Sequence, residues 1–354
     1  MEPEFCHFKI PVSSVSRLLG LFGAEAQLHE LFSLVRKSPH RTLVSSIPGN
    51  ARYAKEQEYL HKSGTAEAWT AVKQSAESCI VVEQLDFVNE LAKKTLLDTH
   101  YFKSFVAHIK SRLDVAFFGK EVAPLINRVA AGDEAALHEL RKVKTTHHLD
   151  SLNPLLETSD VIFSLLAFAA RIARTRYGTV GEEMYITAFN AVMQPKGQVL
   201  SRQKPVFAVC GVTPQSGYNW CLHGFIDGMV GNRLFEIKHR IKGLVADVPL
   251  YDLIQIHAYM FLTRSAQTKL VQCVRSNNSV VTDTHIVFFH QMFWDDIMMR
   301  LGRTLNFIEQ LVASKLAWDC FVQCSDKSRI IEQYVGSVPE ISKDVYDAMM
   351  CPES

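Results

Sequence analysis

The spacing of apolar residues changes once along the chain, after Gln198. Before that point, segments such as AEAQLHELFSLVRK and AALHELRKV repeat apolar residues every three or four positions, which is typical of amphipathic helices. After it, KPVFAVCGVTP, YNWCLHGFIDGMV and NRLFEIKHR have the length and alternation of three consecutive strands. The chain is therefore predicted to contain a helical N-terminal region followed by a sheet backed by helices, in the α/β (α+β) class.

The segments after the three strands complete this predicted fold. VPLYDLIQIHAYMFLTR is apolar almost all round, which predicts a buried helix. TKLVQCVRS and DTHIVFFHQ predict two more strands, and DDIMMRLGRTLNFIEQLVASKL predicts a final amphipathic helix. With a helix N-cap expected at Ser159 or Asp160, we divide the chain into a helical region 1–160, a core 161–320 and a C-terminal tail 321–354.

Charge and cysteine usage restrict the possible partners and compartments. The 38 basic and 37 acidic residues leave a net charge of +1, so a nucleic-acid partner would need a local basic surface. Eight cysteines are scattered, several within apolar runs, which is typical of free buried thiols in a reducing compartment. The N-terminus lacks a secretory pattern, and the longest apolar run, VIFSLLAFAARIA, is too short to span a bilayer. We expect a soluble intracellular protein, of cytoplasm or nucleus, with no membrane partner.

A two-residue turn at 231–232, Gly-Asn, is predicted to close a tight hairpin because both residues tolerate positive φ. Counting outward from this turn places Asp227 directly opposite Glu236. Side-chain alternation then puts Lys238 on the same face as the two acids. Two carboxylates and one ammonium are therefore expected to converge.

Opposed carboxylates destabilise a sheet unless a cation neutralises them. Their oxygens suit Mg²⁺ or Mn²⁺, and Mg²⁺ commonly takes one or two carboxylates together with substrate phosphate oxygens. Lys238 would then hold the attacking water or stabilise charge on the phosphate. The alternative is a solvated surface cluster in which Lys238 offsets one acid. Apolar runs on both strands, CLHGFI and RLFEI, favour a central hairpin and hence the metal site.

The residues of this hairpin resemble the PD-(D/E)xK nuclease superfamily. The matching residues are GFID, from Gly224 to Asp227, and EIK, from Glu236 to Lys238. The resemblance implies a restriction-endonuclease-like core, with a central mixed sheet flanked by helices, over about residues 160 to 290. It also implies phosphodiester cleavage with one or two Mg²⁺ (or Mn²⁺) ions, held by Asp227, Glu236 and the backbone carbonyl of Ile237.

Two helix motifs are similar to the lambda-exonuclease, or YqaJ-type viral recombinase, branch of that superfamily. In RYGTVGEEMYITAF a glutamate follows a glycine by four residues, which selects Glu182 as support for a second ion. In DLIQIHAYMFL, Gln255 is followed one turn later by Tyr259, and Gln255 would bond a metal-bound water, Lys238 or a phosphate. The alternatives are a glutamate favoured by the helix dipole and a core glutamine with its hydrogen bonds satisfied.

The opening segment IPVSSVSRLLGLFGAEAQLHELF also resembles that branch, in which a serine at a helix start contacts substrate phosphate. The resemblance selects Ser14, with Ser13 as second choice, and implies that segment 8–35 packs on the nuclease core. A plain serine helix cap is the alternative. The other residues expected to contact DNA are Arg174, Arg176, Arg240 and Lys242, together with Tyr259. The alternative for the four cations is that they are solvated charges with no role in binding.

About 150 residues separate the opening segment from the Glu182 helix, more than compact members of this branch would need. This insertion would shape a DNA channel, bind a partner such as a single-strand annealing protein, or form a homo-oligomer contact. The spacing of Cys320, Cys324, Cys351 and Cys79 is a poor match to iron–sulfur members of the superfamily, so no iron–sulfur cluster is expected.

The sequence thus predicts a Mg²⁺-dependent deoxyribonuclease, and an exonuclease more than an endonuclease. Linear duplex DNA or DNA ends are the expected substrate, in recombination, repair or viral DNA processing. The alternatives are a structure-specific or RNA-cleaving endonuclease of the same superfamily, and a non-catalytic module that binds nucleic acid or protein.

Overall fold

In a computed structural model of the protein, the described residues are 6–37, 48–112, 121–276 and 279–350. They form two compact units. The sheet unit comprises the described residues within 1–47 and 181–354, and the helical unit comprises those within 48–180. In the described residues no helix is long and apolar enough to cross a membrane.

The described strands are β1 (Phe8–Pro11), β2 (Ser201–Val212), β3 (Asn219–Val230), β4 (Arg233–Arg240), β5 (Gln267–Ser276) and β6 (Ser279–Phe288). The described helices are α1 (Val12–Leu18), α2 (Ala24–Lys37), α3 (Pro48–Lys62), α4 (Ala66–Glu77), α5 (Val82–Leu97), α6 (His100–Arg112), α7 (Val122–Ala130), α8 (Glu134–His147), α9 (Asn153–Met193), α10 (Leu250–Thr263), α11 (Gln291–Val312), α12 (Lys315–Gln323), α13 (Lys327–Val335) and α14 (Lys343–Met350). The α/β class predicted from the change in periodicity is confirmed.

The helical unit is built from α3 to α8 and the part of α9 up to residue 180. Its helices bury the residues that recur at three and four positions: α7, for example, buries Val122, Ile126 and Val129. The start of α8 is fixed by Asp133, whose Oδ1 accepts a hydrogen bond from the backbone N–H of Ala136. These apolar faces form one core of their own within the helical unit.

The N-cap expected at Ser159 or Asp160 is wrong, because α9 begins at Asn153 and runs without a break to Met193. Ser159 is buried, and Asp160 pairs with Arg141 on α8. The two units therefore divide inside a continuous helix, which is why no turn residues mark the division. The predicted boundaries at 160 and 320 differ from those of the two units.

The sheet is mixed, with the strand order β1-β3-β4-β5-β6 and β2 paired with β3. β3 pairs antiparallel with β2 and β4, and β5 pairs antiparallel with β6, whereas the β1–β3 and β4–β5 pairs are parallel. Helices cover both faces: α10 and α11 contribute to a core on one face, and residues after 181 of α9 pack on Phe235 and Ile237 on the other.

One edge of β3 is shared by two strands. Because β2 pairs along almost the whole length of β3, β1 and β4 must both pair with the opposite edge. β1 takes residues 220–223 and β4 takes residues 228–230, so residues 224–227 pair with neither. β4 meanwhile continues beside β5 as far as Arg240. We call this opening between β3 and β4 the fork.

The first and last segments of the chain belong to the core of the sheet unit. From α1 and α2, residues such as Val15 and Leu31 are buried in the same apolar cluster as α10 and α11. The segment predicted to be a C-terminal tail contains α13 and α14, which bury Ile331, Val335 and Met349 in that cluster.

Candidate active site

The predicted Gly-Asn turn at 231–232 is confirmed, and three residue pairs of β3 and β4 follow it in the expected register. The next expected pair, Asp227 directly opposite Glu236, is wrong, because the two strands separate at the fork. Asp227 instead accepts a hydrogen bond at Oδ2 from the backbone N–H of Ile237, at 2.8 Å. The Asp227 side chain therefore bridges the fork where the ladder has ended.

Glu236 and Lys238 lie on one face of β4, as alternation predicted. Lys238 Nζ donates to Glu236 Oε1 at 2.6 Å and to Gln255 Oε1 at 2.9 Å. Glu236 is only 1% exposed, and its second oxygen, Oε2, is buried without a hydrogen-bond partner. A buried carboxylate oxygen with no donor is costly, because desolvation is not offset by a hydrogen bond.

The protonation of this group is strongly perturbed. Burial, and then the charge of Glu182, raises the pKa of Asp227 to about 6. Burial, and then the charge of Asp227, raises the pKa of Glu236 to about 8. For Lys238, burial opposes the charged form, but Glu236 and Asp252 outweigh it and raise its pKa above the ordinary value. The fork thus holds two acids whose negative charges are disfavoured beside a lysine held positive.

An acid that the sequence analysis did not select, Asp252, lies beside Lys238. Asp252 is 1% exposed, its Oδ1 lies 4.0 Å from Lys238 Nζ, and its Oδ2 lies 2.6 Å from the guanidinium of Arg240. Arg240 also donates from Nε to Gln272 Oε1 at 2.9 Å. Arg240, expected to contact DNA, is therefore engaged in a buried ion pair. The signal was available: Asp252 stands three residues before Gln255, on the same helix face.

The glycine at position 224 of the GFID motif is required for a steric reason. A Cβ at this position would lie 2.8 Å from Cε1 of Tyr259 and 3.3 Å from the Cβ of Val12. Only glycine therefore allows α10 and α1 to approach β3 this closely. Tyr259 is buried, and burial followed by the charges of Glu236 and Asp227 raises the pKa of its phenol. The phenol thus lies near both acids.

Glu182 is half-buried on α9, close enough for its charge to raise the pKa of Asp227. The helix approaches β4 closely at Gly181, where a Cβ would come within 2.2 Å of the His239 ring. Gly178, the glycine that the motif counted from, has no atom within 4 Å of a built Cβ. The close approach was not predicted, since sequence spacing does not show which glycine meets the sheet.

The remaining residues predicted to contact phosphate differ in burial and in the unit to which they belong. Ser14 is buried inside α1 and donates to Glu30 Oε1 at 2.7 Å, while Ser13 is exposed. Neither caps the helix, because Pro11 is its N-cap and makes no side-chain cap bond. Lys242 is exposed just beyond β4, and Arg174 and Arg176 are exposed on the part of α9 in the helical unit.

The pair Asp227 and Glu236 fits a divalent cation. Within the described residues, no three His, Cys, Asp or Glu side chains come close enough to hold a metal ion together. Mg²⁺ needs only one or two protein carboxylates, however, since water and phosphate oxygens complete its shell. A cation would supply the missing partner of Glu236 Oε2 and offset the neighbouring negative charges, that of Glu182 on Asp227 and that of Asp227 on Glu236. Glu182 does not complete a three-acid group here.

Comparisons with known proteins found solved structures only. No protein-family model matches the sequence, and no curated protein matches it. The alkaline exonuclease LHK-Exo from Laribacter hongkongensis aligns with 16% identity and a TM-score of 0.29, covering 39% of this chain and 70% of that one. Its complex with dAMP aligns with 16% identity and a TM-score of 0.28, covering 38% and 68%. The structure of SSO0001 aligns with 11% identity and a TM-score of 0.29, covering 52% and 74%.

Proposed function

We propose that this chain is a divalent-metal-dependent nuclease that hydrolyses phosphodiester bonds of DNA, with exonuclease action on linear duplex ends. The observation that carries the proposal is the acid pair at the fork. Glu236 is buried with one oxygen unpartnered, Asp227 lies beside it, and both are neighbours of the Lys238 ammonium. A strongly perturbed pair of acids with a specific charged partner is the pattern expected of catalytic groups.

Asp227 and Glu236, with the carbonyl of Ile237, would hold one or two Mg²⁺ or Mn²⁺ ions, and Glu182 would add negative charge nearby. When bound, such an ion supplies Lewis acidity and lowers the pKa of water. Lys238 presents a fixed positive charge to a phosphate, because Glu236 and Gln255 accept from its Nζ at 2.6 and 2.9 Å. Gln255 orients the lysine from α10, and the buried Tyr259 helps to exclude water from that side of the fork.

A module that only binds nucleic acid or protein would have no use for this pair of acids. Burial makes their ionisation unfavourable in the absence of a cation, and so does repulsion from a neighbouring acid, which is Glu182 for Asp227 and Asp227 for Glu236. Replacing either acid with a neutral residue would relieve that repulsion. The retained pair therefore favours the catalytic proposal over the binding-only alternative. Exonuclease over endonuclease action rests on the motif resemblance around Ser14, Glu182 and Gln255.

The test is cleavage of 5′-phosphorylated linear duplex DNA with Mg²⁺, with covalently closed circular DNA of the same sequence in parallel. Asp227→Asn should abolish cleavage, and Lys238→Gln should reduce the rate by about 10²–10³-fold. Lys315→Gln, which removes an exposed lysine on α12, is the charge-matched control and should cleave like the wild type. Cutting of linear but not circular DNA supports an exonuclease. Cleavage by Asp227→Asn at the wild-type rate would exclude this site.

A further inference from the structure

A cavity of about 500 Å³ lies in the sheet unit, between the β3–β4 turn and the connection from α10 to β5. Two exposed guanidinium groups, those of Arg233 and Arg264, line it, and no lining residue carries a carboxylate. The other polar lining groups are amides and a hydroxyl, including those of Gln198, Asn232 and Ser265. An adjoining recess of about 140 Å³ shares Arg233 and adds the ammonium of Lys269.

In the part of the chain that the structure describes, no ion pair neutralises the positive charges around this cavity. Among the described residues, the ion pairs of the sheet unit involve other cations, such as Arg17, Arg240 and Arg300, and none includes Arg233, Arg264 or Lys269. Lys269 Nζ instead lies 5.8 Å from the centre of the Phe235 ring. In a chain whose net charge is only +1, two such cations at the cavity and a third at the adjoining recess form a local basic surface.

The backbone conformation of Arg264 gives an independent indication that its side chain binds a ligand. Arg264 caps the C-terminus of α10 in the left-handed conformation, with φ 55° and ψ 36°. Helices that end in this conformation usually do so with glycine or asparagine, because a larger side chain is strained there. A strained residue at the rim of a polar cavity is typical of ligand-binding positions.

From these observations we infer that the cavity binds phosphate groups of a nucleic-acid backbone, away from the acid pair. The planar guanidinium group of arginine can donate two parallel hydrogen bonds to a phosphate. Arg233 stands three residues before Glu236 on β4, which is about 10 Å along the strand. Because successive side chains alternate between the two faces of a strand, this odd spacing puts Arg233 on the face opposite Glu236, so the cavity is a site separate from the acid pair.

The inference relies on the proposed function only for the choice of nucleic acid as the anion, and binding tests it without cleavage. We would measure the affinity for a fluorescein-labelled 20-base-pair duplex and the corresponding single strand by anisotropy, in EDTA, over a range of NaCl concentrations. The variants are Arg233→Gln, Arg264→Gly and the double variant. The control is Arg329→Gln, which removes an exposed arginine on α13 that lies outside the cavity lining.

For duplex DNA, log affinity falls as log salt rises, and the double variant should make this negative slope shallower by roughly 1.8. That figure is about 0.9 for each phosphate that is no longer neutralised. Arg264→Gly should bind more weakly while melting at the same or a higher temperature, since glycine is favoured at this cap. That combination excludes misfolding as the cause of weaker binding.

The inference is overturned if the double variant keeps the wild-type affinity and salt slope, or if Arg329→Gln loses as much affinity. It is also overturned if the wild type binds neither the duplex nor the single strand. The same holds if polyglutamate displaces the labelled DNA as effectively as an unlabelled duplex does. A wild type that binds through this cavity without cleaving would contradict the proposed nuclease activity alone.

Discussion

Replacing Glu236 with glutamine should stabilise the protein at alkaline pH in the absence of metal, although it removes a group proposed to be catalytic. Glutamine keeps the shape of the side chain and resembles the protonated acid. Folding raises the pKa of Glu236 from 4.5 to about 8, so the folded state binds more protons than the unfolded state between these values. Stability of the wild type must therefore fall as pH rises through this window, and the variant must lack that part of the loss.

The size of the effect follows from the same pKa values. The difference between 4.5 and about 8, at 1.36 kcal/mol for each unit, gives about 5 kcal/mol as the upper limit at pH above 8. Relaxation of the fork and entry of water reduce this figure in a real protein. Even a third of it, about 2 kcal/mol, shifts the urea midpoint by roughly 0.5 M or more, since m is about 1–3 kcal/mol per M.

The assay is urea unfolding from pH 5 to 9 in EDTA, followed by tryptophan fluorescence. Three of the four tryptophans, Trp220, Trp294 and Trp318, are buried in the sheet unit, so the signal reports mainly on the unit that holds the fork. At pH 5 the variant and the wild type should differ by no more than about 1 kcal/mol, and at pH 8.5 the variant should be clearly more stable. Adding Mg²⁺ should stabilise the wild type and have less effect on the variant.

Glu309→Gln is the matched control, because Glu309 is another buried glutamate of the sheet unit. Its oxygens accept hydrogen bonds from Thr213, Ser216 and the backbone N–H of Gln215, so removing this acceptor should destabilise the protein at every pH. If Glu236→Gln also proves less stable than the wild type at pH 8.5, the acid pair is not repulsive. The electrostatic argument for a cation at the fork then fails.

Two further outcomes are expected. Gly181→Ala should destabilise the protein by about 1–3 kcal/mol in the same assay, because its Cβ would clash with the His239 ring. Gly178→Ala, three residues earlier on α9 and in open space, should instead stabilise it by about 0.4–1 kcal/mol, and equal effects would refute the steric reasoning. Burial lowers the pKa of His257 to about 4, so its stabilising contribution is complete above pH 6.5 and is lost as pH falls towards 4. His257→Asn should flatten that loss of up to about 3 kcal/mol, and an unchanged acid profile would contradict it.

The parts of the fork set by local geometry could be predicted from the sequence. The Gly-Asn turn fixed the first pairs of the hairpin, and alternation placed Glu236 and Lys238 on one face. Both depend only on residues close in sequence. The contact between Gln255 and Lys238, one of the three partners considered for Gln255, was instead an expectation from the motif resemblance.

What depended on distant segments could not be predicted. The ladder ends before Asp227 because β1, some 210 residues earlier in the chain, occupies part of the same edge of β3, and β5 draws β4 away. Arg240 was expected to contact DNA, but α10 brings Asp252 to it as an ion-pair partner. Ser14 was expected to contact phosphate, but α2 supplies Glu30 as the acceptor of its hydroxyl. The sequence does not show which distant residue contacts a charged or hydroxyl side chain. It therefore cannot tell whether that side chain is paired or exposed to solvent.

The fork explains why the acids meet at this place in the sheet and not elsewhere along the hairpin. Where a ladder is complete, backbone groups satisfy one another and a side chain has no backbone N–H to bond. Where β3 and β4 part, the N–H of Ile237 becomes available, and Asp227 takes it through its carboxylate. That bond fixes Asp227 beside Glu236 despite their repulsion, so the position of the acid pair follows from the end of the strand pairing. A change that closed the fork by one more residue pair would supply Ile237 with a backbone partner and release Asp227 from the site.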